Sequence, residues 1–369
     1  MQTKLTYKYL FPEDKMQYTE EKSASLKYRR DYYNGINAVI DARRNEVDKI
    51  RAEYINPEKA AADREKYRRD LTKILGWPLT KYEELKSGAM KVIKEKRTET
   101  DDAVVYSMQF EILPDCLFYG LFFENKNKTD NTPFVIAQHG GAGGPETISE
   151  MWGPSNYCRI TDRLLSHGAN VFCPGLLLWA TEDAPEGIEK YRPQGKDERD
   201  YADFRLRQLG GSITAVEIFA IRRIIEYFIA GGFAHEGHIG MTGLSYGCFY
   251  TMMTTALETK INAAYASCQF SNRYTFDQWP DWIFDGIGEK FLDAEVASLV
   301  APRPLFIEQG DGDEVFKAEP FLAECKRTEP FYKAAGAEDK LKYRVFTGGH
   351  QFADDDTGVK FLIDNLKLS

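Results

Sequence analysis

Apolar residues recur at three- and four-residue steps from about Glu21 to Tyr54: Leu26, Tyr32, Tyr33, Ile36, Val39, Ile40, Val47, Ile50 and Tyr54. That spacing predicts one face of a long amphipathic helix. Asn56-Pro57-Glu58 then reads as an N-cap, a first-turn proline and a first-turn acid. The second helix it opens should run to about Leu75, where Gly76 and Pro78 stop it. Near Lys94 the texture changes. Ala103–Phe110 and Leu117–Phe123 are rich in Val, Tyr, Phe and Leu and are separated by Pro114-Asp115, which predicts an antiparallel pair.

Beyond this pair the pattern alternates. Pro133–Gln138, Ala169–Pro174, the run ending at Met241, Ala263–Ser267, Pro304–Glu308 and Leu341–Phe346 are short apolar runs suited to buried strands. Between them lie helical patterns near Arg159–Ser166, from Arg205 to about Ala230, after Tyr246, up to about Ala335, and near Thr357–Leu366. Thr181 to Asp203 is polar and predicts a long loop. This order implies an α/β fold: a mostly parallel twisted sheet with helices on both faces and an antiparallel edge. The expected organisation is an N-terminal helical extension over 1–95 and a catalytic domain over 96–369. Insertions at about 175–205 and 269–300 would form the rim of its site.

Composition narrows the class. The 369 residues are 43% hydrophobic and 28% charged, as in an ordinary globular protein. A net charge of -9 excludes general nucleic-acid binding, which needs a basic surface. The Lys and Arg between 29 and 70 are interleaved with Asp and Glu and read as a solvated helix face. No apolar run approaches the ~20 residues of a membrane helix. No signal peptide is visible at the start, so a cytoplasmic protein is expected. The six cysteines form no C-x-x-C pair, which favours free thiols over a zinc site. Asp354-Asp355-Asp356 precedes a helix and reads as N-terminal capping, so no metal is expected.

The candidate chemistry follows the strands, since an α/β sheet gathers its site beyond their carboxyl ends. Gly243-Leu244-Ser245-Tyr246-Gly247 lies between a strand and a helix, the context of a nucleophile elbow. His139-Gly140-Gly141 follows another strand, and glycines there allow backbone N–H groups to turn inward. His139 itself is expected to shape that loop. Gly310-Asp311-Gly312-Asp313 and Gly349-His350 follow two more strands. Serine, acid and histidine therefore appear in the order that a hydrolytic triad on such a sheet requires. Ser245 is the candidate nucleophile and His350 its base. Asp313 is the preferred acid, with Asp311 and Glu314 in the same loop left open. Backbone N–H groups of Tyr246 and Gly141 are the candidate oxyanion hole. Phe270, Tyr274, Phe276, Trp279, Trp282 and Phe284 crowd one insertion. Trp279, Trp282 and, from the other insertion, Trp179 either stack on sugar rings or pack onto the sheet.

The run Gly243–Tyr250, continued by Ala263–Arg273, Asp293-Ala294-Glu295-Val296 and Ala301-Pro302-Arg303-Pro304-Leu305, resembles bacterial α/β-hydrolases of the acetyl xylan esterase and dienelactone hydrolase-like group. His139-Gly140-Gly141 and Gly349-His350 extend the resemblance over roughly 100–369. It implies an α/β-hydrolase fold and a serine esterase without cofactor, often acting on acylated carbohydrates. It carries Ser245 as nucleophile, His350 as base and an acid matching Asp313. The glycine loop departs from the pattern, because acetyl xylan esterases tend to have a larger third residue than Gly141. The expected partner is a small-molecule ester. A serine peptidase acting on small peptides and a non-catalytic binding protein of the same fold are the alternatives. The first helix has two candidate partners, the domain's own core or another subunit, which leaves a homo-oligomer open.

Overall fold

Successive side chains of a strand face opposite sides of its sheet, and the central strand β4 (Phe134–Gln138) shows what this does for the core. Phe134 and Ile136 enter one buried cluster, and Val135 and Ala137 enter a second. The computed structural model describes residues 21–129, 131–178, 196–275 and 279–367. Among them the sheet has nine strands in the order β1-β2-β3-β5-β4-β6-β7-β8-β9. The other strands are β1 (Val92–Glu99), β2 (Ala103–Leu113), β3 (Cys116–Asn125), β5 (Asn170–Pro174), β6 (Ile239–Leu244), β7 (Ala263–Ser267), β8 (Leu305–Gly310) and β9 (Leu341–Phe346). Pairing is antiparallel from β1 through β3 to β5 and parallel from β5 to β9.

The helices are α1 (Leu26–Tyr54), α2 (Pro57–Ala62), α3 (Arg64–Leu75), α4 (Tyr82–Leu85), α5 (Pro145–Ile148), α6 (Ile160–Ser166), α7 (Lys196–Gln208), α8 (Ile213–Ala230), α9 (Tyr246–Leu257), α10 (Asp293–Val300), α11 (Ala318–Ala334) and α12 (Thr357–Lys367). Buried residues of α3, α8, α9, α10 and α11 share the first cluster, and those of α6 and α12 share the second. Compactness divides the chain after Ile50. In the shorter unit, Tyr32, Tyr33, Ile36, Val39 and Ile40 of α1 are exposed. In the larger unit, Ile55, Tyr67, Leu71, Leu75 and Tyr82 belong to the same core as the sheet. Asn56 caps α2 as its sequence predicts, its side chain accepting the Lys59 N–H.

Three expectations need correction. The second helix, expected to run unbroken to about Leu75, is divided at Asp63 into α2 and α3, and the Asp63 side chain accepts the Lys66 N–H to start α3. The helix predicted from Arg205 to Ala230 is two helices, α7 and α8. Gly210, with φ 78°, breaks the pattern, and the Ser212 hydroxyl accepts the Ala215 N–H to start α8. The loop expected over Thr181–Asp203 is helical from Lys196, where Arg199 is held by Asp281 and Glu217 and Asp203 accepts the Ile213 N–H. The rest of it, with Trp179, lies outside the described residues. The six cysteines are all unpaired. Among the described residues no helix is long and apolar enough to cross a membrane.

Candidate active site

Strand order reverses at β4, with β5 on one side and β6 on the other, and such a switch opens a crevice beyond the carboxyl ends. Gln138 at the end of β4 pairs with Gly243 of β6, so the loop after the first lies beside the turn after the second. Ser245 occupies that turn with φ 60° and ψ -117°, a conformation that costs a non-glycine residue energy unless its surroundings impose it. They do. A Cβ on Gly243 would fall 2.3 Å from the Gly247 carbonyl oxygen, and one on Gly247 would fall 2.1 Å from that of Gln138. Only glycine at both positions lets β6 turn so sharply into α9.

The glycine loop is held from below. His139 is fully buried; its Nε2 accepts the Leu176 N–H at 2.9 Å, so Nδ1 carries the proton and donates to the Gly140 carbonyl at 2.7 Å. Burial pushes this imidazole down to about 4, which keeps it neutral. The Gly140 N–H is taken by the Tyr157 hydroxyl at 2.6 Å.

On the far side, Gly310 of β8 pairs with Phe346 of β9 and brings the acid and histidine loops together. His350 Nδ1 lies 2.8 Å from Asp313 Oδ2. Burial alone would raise the Asp313 carboxyl. The His350 hydrogen bond and the Phe316 and Val315 N–H groups outweigh it and hold the carboxyl below its usual range. Gln309 Nε2 donates to the same Oδ2 at 2.8 Å. Asp311 faces elsewhere and accepts the Gly348 N–H at 3.1 Å. Asn156 Nδ2 donates to the His350 carbonyl at 2.9 Å, tying the histidine to the opposite rim.

These elements enclose a cavity of about 200 Å³ lined by Gly140, Gly141, Asn156, Tyr157, Leu244, Ser245, Tyr246, Trp279, Trp282, Val315 and His350. Ser245, His350, Tyr246, Gly141, Trp279 and Trp282 are thereby brought to one place, with Asp313 behind His350. The Tyr246 N–H opens α9, where a helix has no intrahelical acceptor to offer it. Trp282 is only 2% exposed and stacks on Phe249, Trp279 and Phe316. It is a packed wall, and the half-buried Trp279 stacks on Trp282 and Phe316 at its edge.

Beneath Tyr246 is a buried charge cluster that the sequence reading did not single out. Arg199 of α7 donates to Asp281 at 2.7 Å, to Glu217 at 2.9 Å and to the Tyr250 hydroxyl at 2.7 Å. The Tyr246 hydroxyl donates to Asp281 at 3.1 Å. Tyr157, Asn156 and Gln309 were also missed, lying where no periodicity or motif marks them.

Among the described residues one set of groups has metal-ligand spacing: Cys268, Asp313 and His350, whose ligand atoms lie within 4.8 Å of one another. Their chemistry does not fit an ion. Both Asp313 oxygens already accept N–H donors. Burial pushes the Cys268 thiol up to about 12, whereas a metal needs the thiolate.

The sheet order and the strand-to-helix turn are those of the α/β-hydrolase fold. No family model matches the chain, and no curated protein matches it in sequence. Among solved structures it is similar to a putative acetyl xylan esterase from Bacteroides fragilis, with 15% identity, a TM-score of 0.62 and coverage of 83% of this chain and 81% of that one. It is also similar to a methylesterase, with 16% identity, a TM-score of 0.64 and coverage of 89% and 71%. A glucuronoyl esterase from Solibacter usitatus matches with 14% identity, a TM-score of 0.57 and coverage of 82% and 92%. At such identities the likeness is one of fold.

Proposed function

We propose that this protein is a serine hydrolase that cleaves esters of small neutral acyl groups, acetylated carbohydrates being the substrate class. The observation that carries the reading is His350, paired with Asp313 and sharing one cavity with a serine on a strained elbow. An ionised Asp313 keeps the proton on Nδ1, which leaves Nε2 as the lone pair that takes the Ser245 proton. The Ser245 oxygen then bonds to the acyl carbon, the alcohol leaves with the proton returned by His350, and water repeats the sequence to release the acid. Charge on the tetrahedral oxygen would meet the Tyr246 and Gly141 N–H groups, each contributing roughly 3 kcal/mol.

The cavity lining supports a small neutral acyl group. Among the described residues it contains no Lys, Arg, Asp or Glu, and it is small. An acetyl group fits it.

The test is hydrolysis of nitrophenyl acetate, butyrate and octanoate and of a glucuronate methyl ester, with Ser245→Ala as the blank. The acetate is expected to be turned over fastest, and a fluorophosphonate should add to Ser245 alone. Full activity in Ser245→Ala would sink the reading. Faster turnover of aminoacyl amides than of the acetate would reassign the protein as a peptidase.

A further inference from the structure

Tyr157 lies between the glycine loop and α6, 3% exposed, with Phe352 packed beside its ring. It lines the cavity, and its oxygen sits against the glycine loop, accepting the Gly140 N–H. A Cβ on Gly143 would come 2.6 Å from that oxygen, so the loop carries no side chain where the phenol enters. A Cβ on Gly140 would be 3.4 Å from the same oxygen and 3.3 Å from Ser245 Cβ. The hydroxyl and the nucleophile's carbon therefore flank a single point.

We infer that the Tyr157 hydroxyl is a further catalytic residue that donates its proton in a hydrogen bond to the oxyanion formed at Ser245. This rests on the serine-hydrolase reading. A phenol that accepts one hydrogen bond still holds its own O–H to give. The Gly140 N–H is spent on Tyr157, so that peptide cannot face the substrate. The loop instead relays its N–H through the phenol, which it polarises toward donation. Burial pushes the phenol well above its ordinary range, which keeps the proton in place. The titratable side chains sharing the cavity are Tyr246 and His350, with His139 in the adjoining loop.

A purely structural role predicts different behaviour. As an acceptor for Gly140, the oxygen would serve better as a phenolate. As a donor, it would fail. The experiment uses nitrophenyl acetate with wild type, Tyr157→Phe, Ser245→Ala and a difluorotyrosine placed at 157, whose phenol ionises at lower pH. Tyr157→Phe is expected to lose roughly a hundredfold in kcat, with KM within about twofold. The difluorotyrosine enzyme, unchanged in shape, should match wild type near neutrality and lose kcat on an alkaline limb that wild type lacks. An unchanged or rising alkaline limb overturns the proposal, as does wild-type kcat in Tyr157→Phe. If Tyr157→Phe does not fold, the difluorotyrosine limb decides alone. Activity surviving in Ser245→Ala removes the underlying reading and Tyr157's role with it. An inactive Ser245→Ala beside a fully active Tyr157→Phe removes only the latter.

Discussion

Asp313 and Asp311 leave the same strand two residues apart and bind different parts of the histidine loop. Asp313 meets the His350 imidazole at 2.8 Å, and Asp311 accepts the Gly348 N–H at 3.1 Å. In the proposed mechanism one orients the base, and the other holds the backbone that carries it. Asp313→Asn should lower kcat by roughly 10³–10⁴-fold through the wrong imidazole tautomer. Asp311→Asn should cost about tenfold or less, since an amide oxygen still accepts the Gly348 N–H. Steady-state kinetics on nitrophenyl acetate compare the two. Equal losses would refute this division of labour.

The elbow glycines have no room for a methyl group. Gly247→Ala sets a Cβ 2.1 Å from the Gln138 carbonyl oxygen, and neither that backbone oxygen nor a carbon fixed to Cα can swing aside. A loss of about 3 kcal/mol in urea unfolding is expected, together with most of the activity. A variant of wild-type stability would show that the turn adopts another path.

Arg199 is fully buried among Asp281, Glu217, Tyr250 and Tyr246. Removing the cation while leaving two carboxylates buried should destabilise the protein by roughly 3–5 kcal/mol. Chemical denaturation of Arg199→Met measures this. A smaller change would mean that water reaches the cluster.

Burial pushes the Asp293 carboxyl up to about 6, against which the Arg273 partnership works only in part. Between the ordinary carboxylate range and that value, the native protein holds a proton that the unfolded chain has released. Stability should therefore fall as pH rises through this window, by an amount on the order of 2–3 kcal/mol from this group. Asp293→Asn should lack that slope. Urea midpoints at several pH values between 4 and 7 compare the two proteins, and parallel curves would contradict the assignment.

Legibility in the sequence followed burial. Strands such as β4 and β6, enclosed on both faces, appear as apolar runs that only a central strand explains, and the loops after them carried the candidate chemistry. β1 left no such trace. It is an edge strand of sequence Val-Ile-Lys-Glu-Lys-Arg-Thr-Glu and mostly exposed, so charges replace the apolar signal. The Gly210-Gly211-Ser212 break was visible, but the apolar spacing on both sides of it masked the join. Tyr157 and Asn156 reach the site from an irregular stretch, where position depends on tertiary packing and no period exists to read. Trp282 illustrates a different gap. Residue type nominates an aromatic for sugar stacking, yet only the neighbours Phe249 and Phe316 reveal that its faces are occupied.

The backbone at Ser245 also limits what chemistry this scaffold can host. With φ at 60°, a branched β-carbon would collide with its own peptide, so threonine is barred from the position although its hydroxyl is as competent as that of serine. Cysteine has the same unbranched stem. A lineage built on this turn can exchange oxygen for sulfur in a single step, whereas a secondary alcohol would require rebuilding the strand that precedes it.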